Sequence, residues 1–475
     1  MKRGGLLTCG SVLLLAGFLI FSSASIKNNA ADKQRSKADR IVQSLKGPVF
    51  KNKTFNILDF GAKAGLNDTS TKAINEAISV CSKEGGGIVI IPAGIFLTGA
   101  IQLKSNVNLL LEEGAVLKFS TLPDDYLPAV LTRWEGVDCY NYSPLIYGYN
   151  LSNVAITGKG VLDGQANEGN WWRWKGKSAT GLADTMKNQS NPNSRARLME
   201  LNEKEVPVEH RNFGDGHYLR PPFLQFYECR NILLEDITII NAPFWIIHPL
   251  LSENIIVRGV NLNSLGPNND GCNPESSRNV LIENCNFNNG DDCIAIKSGR
   301  NQDGRRWNIP SEDIVVRNCQ MQEGHGGVVI GSEVSGGCRN VYVFDCRMNS
   351  PHLDRAIRIK TNAQRGGIIE DLFVSNIRIG EVKEAVLKIE CTYETKSEEG
   401  NYPPLVRNIF LDNITSEKSK YPYYLIGLKT KECITDIYLS GLTLNGVEKE
   451  ANVTGVSNLV LTDVSINGKE YGSQK

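Results

Sequence analysis

Asn231-Ile-Leu-Leu-Glu-Asp-Ile-Thr-Ile239 returns as Asn254-Ile-Ile-Val-Arg-Gly-Val-Asn-Leu262 and again as Asn279-Val-Leu-Ile-Glu-Asn-Cys-Asn-Phe287. Each nine-residue unit opens on Asn or Asp and then alternates, with β-branched side chains at many apolar positions. That is the pattern of a half-buried strand. Further copies open at Asn153, Asp313, Asn340, Asp371, Asn408, Asp436 and Asn458. From Asn231 onward the copies lie 22 to 37 residues apart, the length of a solenoid coil with two or three strands and their turns. A doubly wound sheet would need an amphipathic helix in each gap, and none fits. The predicted class is all-β, a right-handed single-stranded parallel β-helix.

A solenoid must cover its open apolar end. One segment has the right pattern for a cap, Asp68-Thr-Ser-Thr-Lys-Ala73-Ile74-Asn-Glu-Ala77-Ile78-Ser-Val-Cys81, closed by Gly85-Gly86-Gly87. Asp68 or Thr69 can cap its first turn and the glycines can end it. Ahead of the first strand, Lys2 and Arg3 precede an apolar run from Leu6 to Phe21 and then Ser22-Ser23-Ala24. This reads as a secretory signal over residues 1–24, with a retained anchor as the alternative. Residues 25–53 are polar and read as a flexible segment. Residues 54–475 then form one β-helix domain, because solenoids lengthen by adding coils. The expected location is periplasmic or extracellular, with no stable membrane insertion once the signal is removed.

Formal net charge is zero, so nothing points to nucleic acid, and an acidic polymer would have to be held by a local patch. Leaving out Cys9, an odd number of cysteines remains, so a monomer, the expected state, keeps at least one thiol unpaired. Cys285, Cys319 and Cys346 fall at one place in three consecutive units. Small apolar side chains stacked inside the coil account for them better than a redox or zinc site. No metal site is expected.

Four polar clusters follow in order: Asn268-Asn269-Asp270, Gly290-Asp291-Asp292, Gly324-His325-Gly326 and Arg358-Ile359-Lys360. Asp291 and His325 each stand twelve residues after their unit opens, so they should be neighbours on adjacent coils, about 4.8 Å apart. Asp270 belongs to the coil before. Aligning Asp291–Lys297 with His325–Gly331 and Asp354–Lys360 turns Ile294, Ile296, Ile357 and Ile359 inward. Lys297, Arg358 and Lys360 then point outward, with Lys297 and Lys360 in one column. Taken singly, Asp-Asp in a turn, His between glycines and cations on a strand face have ordinary structural explanations. Together on consecutive coils they form a glycosidase inventory for an acidic sugar. Crowded carboxylates raise one another's pKa so that one stays protonated, His325 can tune that acid, and Arg358 and Lys360 can hold a sugar carboxylate.

With these clusters in place, the chain resembles the polygalacturonases of glycoside hydrolase family 28, whose signature is Asn-x-Asp, Gly-Asp-Asp, Gly-His-Gly and Arg-x-Lys. The resemblance runs from about Phe55 to the C-terminus and includes Ile57-Leu-Asp-Phe-Gly-Ala62 and Gly158-Lys-Gly-Val-Leu-Asp-Gly164. It implies a pectin-lyase-like solenoid and hydrolysis of α-1,4 bonds in pectic polysaccharide with inversion, without a metal or organic cofactor. It also implies Asp291 as general acid, Asp270 and Asp292 as activators of water, and His325 as support for the acid. Arg358 and Lys360 would bind substrate carboxylate, with Lys297 and Asn268 beside them. Asn269 departs from the frequent Thr, which bears only on local hydrogen bonding. The presence of His325 favours galacturonan over rhamnogalacturonan.

Trp171, Trp172 and Trp174, followed by a polar stretch to about Pro221, read as an insertion above the groove, either stacking on sugar or packing as an apolar corner. Trp134-Glu135-Gly136 and Phe244-Trp245-Ile-Ile-His248-Pro249 resemble bacterial exo-acting members. The expected mode is therefore exo, with endo action or a rhamnogalacturonan or xylogalacturonan hydrolase as alternatives. A pectate lyase and a non-catalytic carbohydrate-binding β-helix are the rivals from other classes.

Overall fold

Every repeat unit opens on a left-handed residue. The computed structural model describes residues 33–176 and 187–472. In it Asn153, Asn231, Asn254, Asn279, Asp313, Asn340, Asp371, Asn408, Asp436 and Asn458 all have φ between 53° and 58°. Asn and Asp tolerate this conformation better than other residues with a Cβ. Their side chains also form a ladder: Asn231 donates to Asn153 Oδ1 (2.9 Å), Asn254 to Asn231 Oδ1 (3.1 Å) and Asn279 to Asn254 Oδ1 (3.2 Å). The Asn that marks each unit in the sequence therefore both turns the chain and bonds one coil to the next.

Except for the last strand, Lys469–Tyr471, which folds back antiparallel on Val456–Ile466, the strands pair in parallel into one sheet of 23 strands and two of 4 and 6, forming the right-handed parallel β-helix. Inside it Val154, Ile232, Ile255, Val280, Ile314, Val341, Leu372, Ile409 and Ile437 stack in register, one per coil, and all are buried. Each such side chain stabilises the coil by about 1.5–3 kcal/mol. Cys285, Cys319 and Cys346 lie in the same core, as their spacing predicts, and the described cysteines are all free and buried.

The sheet of 4 strands and the sheet of 6 form one continuous column, bridged by Ile247 to Cys272 and Cys272 to Ile294. Its later strands are Ile294–Ile296, Val328–Gly331, Arg355–Lys360, Ala385–Glu390, Tyr421–Ile426 and Asn452–Thr454. This column carries the site.

The capping helix runs over Thr71–Lys83 and buries Ala73, Ile74, Ala77, Ile78 and Cys81 against the first coils. Its start corrects the expectation. Gly65–Thr69 is a strand and Ser70 takes the N-cap position without a side-chain hydrogen bond. Thr69 Oγ1 only accepts the Thr71 N–H at 3.3 Å.

The segment expected to be flexible also differs in its described part. Residues 33–44 are helical, and Ala38, Ile41, Val42 and Leu45 pack on Ile256, Leu281, Val315, Tyr342, Phe344 and Phe373 on the outer face of the large sheet. The i, i+3, i+4, i+7 spacing of those four residues is a helical stripe, short enough to be lost among the charges around it. The signal expected over residues 1–24 lies outside the described residues. Among the described residues, no helix is long and apolar enough to cross a membrane.

Candidate active site

Register brings the four clusters together. Ile294 pairs with Val328 and Val328 with Ile357, so Asp291 and His325 occupy equivalent places on adjacent coils. His325 Nδ1 lies 2.9 Å from Asp291 Oδ1, which also accepts the Asp292 N–H at 2.9 Å. Asn268 Nδ2 donates to Asp291 Oδ2 at 3.4 Å. Lys360 Nζ donates to Asp292 Oδ2 at 2.6 Å, and Arg358 Nη1 is 3.9 Å from Asp292 Oδ1. Lys297 Nζ lies 3.3 Å from Asp270 Oδ2 and 3.0 Å from Glu333 Oε2.

Two glycines make this approach possible. A Cβ on Gly290 would come 2.1 Å from Gly266 O, and one on Gly324 would come 2.4 Å from Asp291 O. Asn269 is fully buried and holds its loop, accepting from Ser264 Oγ (2.6 Å) and Gly266 N (3.0 Å) and donating to Phe244 O (3.2 Å).

The outward parity of the cations holds, but their exposure does not. Lys297, Arg358 and Lys360 are only 3%, 6% and 6% exposed. Lys297 lies over the Trp245 ring at 4.4 Å, while Arg358 and Lys360 lie over Tyr393 at 5.1 and 5.4 Å. The outer face of this sheet is walled by loops, so these are groove-bottom groups and not a solvated strand face. Of the three, Lys297 is the one held between two carboxylates.

The electrostatics separate the acids. Burial, then the neighbouring Asp291 and Asp292, push Asp270 well above the ordinary carboxylate range, against the pull of Lys297. Burial would raise Asp291 too, but the hydrogen bond and charge of His325 outweigh it and hold this carboxyl below the ordinary range. His325 is raised to about 9 by its hydrogen bond to Asp291 and then by that group's charge. Below about pH 9 the Asp291–His325 pair thus carries a proton beside the other two aspartates, of which Asp270 is shifted toward holding a proton more readily than a free carboxylate does. Such a site can deliver one proton and hold a water against the Asp292 carboxylate.

A pH prediction follows from the sign of these shifts. The proton is present at low pH and lost as pH rises through the pair's value. Replacing His325 by Gln removes what lowers Asp291 and leaves the proton on Asp291 alone. The alkaline limb of kcat/KM should then move to lower pH. An alkaline limb at the same pH in both proteins counts against the shared proton.

The sequence reading missed the groups that wall the site. Glu333 bridges Lys297 and Arg300, whose Nη1 is 3.6 Å from Glu333 Oε1 and 3.1 Å from Glu135 Oε2. Glu135, at the tip of the hairpin Val130–Trp134 and Val137–Asn141, meets Arg195 of the insertion at 2.7 Å. At the other side Arg220 donates to Asn268 Oδ1 at 2.8 Å and to Pro267 O at 2.6 Å, and burial lowers it to about 10. The insertion is therefore tied both to the Asn268 loop and, through Glu135, to Arg300. No period marks these charges, since Arg300 and Glu333 sit in loops of unequal length after their strands.

The tryptophans resolve as a packed corner. Trp171 is buried against Tyr126 and Trp174, and Trp174 also meets Tyr142 and Tyr218. Trp172 Nε1 donates to Ala242 O at 2.9 Å. The two segments read as exo-like also pack together, with Trp134 stacked on Phe244 and Phe244 on Trp245.

The model of the glycosyl hydrolases family 28 matches residues 81–465. The chain belongs to that family. It is a glycosidase. It is 43% identical to the hyperthermoactive exopolygalacturonase of Thermotoga maritima, with a TM-score of 0.88 over 92% of this chain and 97% of that one. A probable polygalacturonase of Vitis vinifera is 30% identical, covering 84% of this chain and 75% of its own. An exo-poly-alpha-D-galacturonosidase of Dickeya chrysanthemi is 26% identical, covering 87% and 69%.

Proposed function

We propose that this family 28 enzyme hydrolyses α-1,4 bonds of polygalacturonate with inversion, releasing small units from a chain end. The observation that carries this reading is the insertion. It is bonded to Asn268 through Arg220 and to Glu135 through Arg195, which supports a groove closed beside Asn268, with the polymer leaving toward the later coils. In this reading Asp291, sharing its proton with His325, protonates the leaving oxygen. Asp270 and Asp292 hold the attacking water on the opposite side of the sugar. Asn268 orients Asp291, Lys297 fixes Asp270, and Arg358 and Lys360 bind the carboxylate of the sugar that leaves. The relatives named as exo-acting support the same mode. The Lys2-Arg3 start and the apolar run after it support export, to where pectic polymer is met.

Product analysis on polygalacturonate tests this. The early product should be one small species, with viscosity falling slowly relative to the reducing ends released. A ladder of oligomers with a rapid viscosity drop would make the groove open and the enzyme endo-acting. An unsaturated product absorbing in the ultraviolet would make it a lyase.

A further inference from the structure

We propose that the coils beyond Arg358 and Lys360 form a stacking subsite, built on Tyr424 and Lys388, that takes an uncharged or esterified pyranose of the departing polymer. This rests on the chain-end reading above, which leaves the later coils as the polymer's way out. Strand register supplies the geometry. Arg358 pairs with Lys388 and Lys388 with Tyr424, while Lys360 pairs with Glu390 and Glu390 with Ile426. Outward positions thus continue the substrate column, one coil per step of about 4.8 Å. A pyranose in an extended 1,4-linked chain is about as long as one such step.

Charge changes along this column. The Arg358 coil offers two cations on the groove floor. On the next coil Lys388 Nζ is already held by Glu384 Oε1 at 2.8 Å and lies 3.5 Å from Glu390 Oε2. Glu384 is also paired with the Arg355 guanidinium, so a second uronate there would meet cations that are already matched by carboxylates and would gain little. The coil after it presents an aromatic surface. The half-buried Tyr424 ring lies 5.0 Å from Lys388 Nζ and packs edge-on with Tyr421 at 5.2 Å. A ring face backed by an ion-paired lysine suits the C–H face of a neutral pyranose. The enzyme then demands a carboxylate next to the bond it cuts and not one sugar further out.

Chain-length dependence tests this, because a dimer occupies the blocked side and the Arg358 coil without reaching Tyr424. Tyr424→Ala should lower kcat/KM on tetragalacturonate about tenfold and leave digalacturonate unchanged, and Tyr424→Phe should restore the tetramer. On wild-type enzyme, a trimer methyl-esterified on the third sugar from the cleaved end should react within about twofold of the free acid. Esterification of the second sugar should cost far more. Equal loss of dimer and tetramer activity in Tyr424→Ala, or no loss on either, overturns the subsite. Equal penalties for the two esters overturn its neutrality. The product pattern of the wild type, which tests the chain-end reading, is unaffected by any of these outcomes.

Discussion

Asp291→Asn should lower kcat by a factor of about 10² to 10⁴ while KM stays within a few-fold. The amide matches the carboxylate in shape, and with its oxygen in the Oδ1 place it still accepts the Asp292 N–H, while the 3.4 Å contact from Asn268 to Oδ2 is given up because an NH2 does not accept. What disappears is the proton passed to the leaving oxygen, an interaction made in the transition state and not in the bound ground state. The same substitution has an independent readout. His325 is raised to about 9 by Asp291, so in the variant its titration should fall toward the ordinary histidine value, about 6.5. A variant with near-normal kcat removes Asp291 from the acid role. An unmoved His325 titration removes the pairing from which the role is argued.

How the site could be read from the sequence depends on which residues obey the repeat. Asp291 and His325 stand at one phase of successive units, and phase fixes both height and direction in a solenoid. Their contact was therefore legible. Lys297, Arg358 and Lys360 had the right parity for the same reason. Their burial was not legible, because it comes from loops and the Tyr393 and Trp245 rings, which have no period. Glu333 and Arg300 were missed on similar grounds, and Glu135 was read only as part of an exo-like segment and not as a partner of Arg300. Each is fixed by partners far along the chain, as Arg300 is by Glu135 and Glu394. The helix over residues 33–44 shows the opposite case. Its apolar stripe was present in the sequence, but what it covers is an outward face of the large sheet. A reading that treats alternation as buried-in and polar-out leaves that face to solvent, although Tyr342 and Phe373 stack there at 5.5 Å.

Lys360→Met should lower both activity and stability, and a second substitution should restore only one of them. Lys360 is 6% exposed, and its amine donates to Asp292 Oδ2 at 2.6 Å. With the amine gone, Asp292 stays fully buried with Arg358 Nη1 at 3.9 Å as its remaining cation. Removing one partner of such a pair costs about 3–5 kcal/mol, because the other charge is left without compensation. The methionine keeps the packing against Tyr393, so the loss is electrostatic and not a cavity. Turnover on galacturonate polymers should fall by at least about 10², since the carboxylate that faces the water is no longer fixed and a substrate contact is lost as well. Lys360→Met combined with Asp292→Asn removes both charges and should recover most of the unfolding free energy, as neighbouring sites couple. Activity should stay absent in the double variant, because the base is missing. Denaturant unfolding alongside turnover separates the two effects. Recovery of turnover in the double variant would show that Asp292 serves only to balance Lys360, and would leave the activation of water to Asp270 alone.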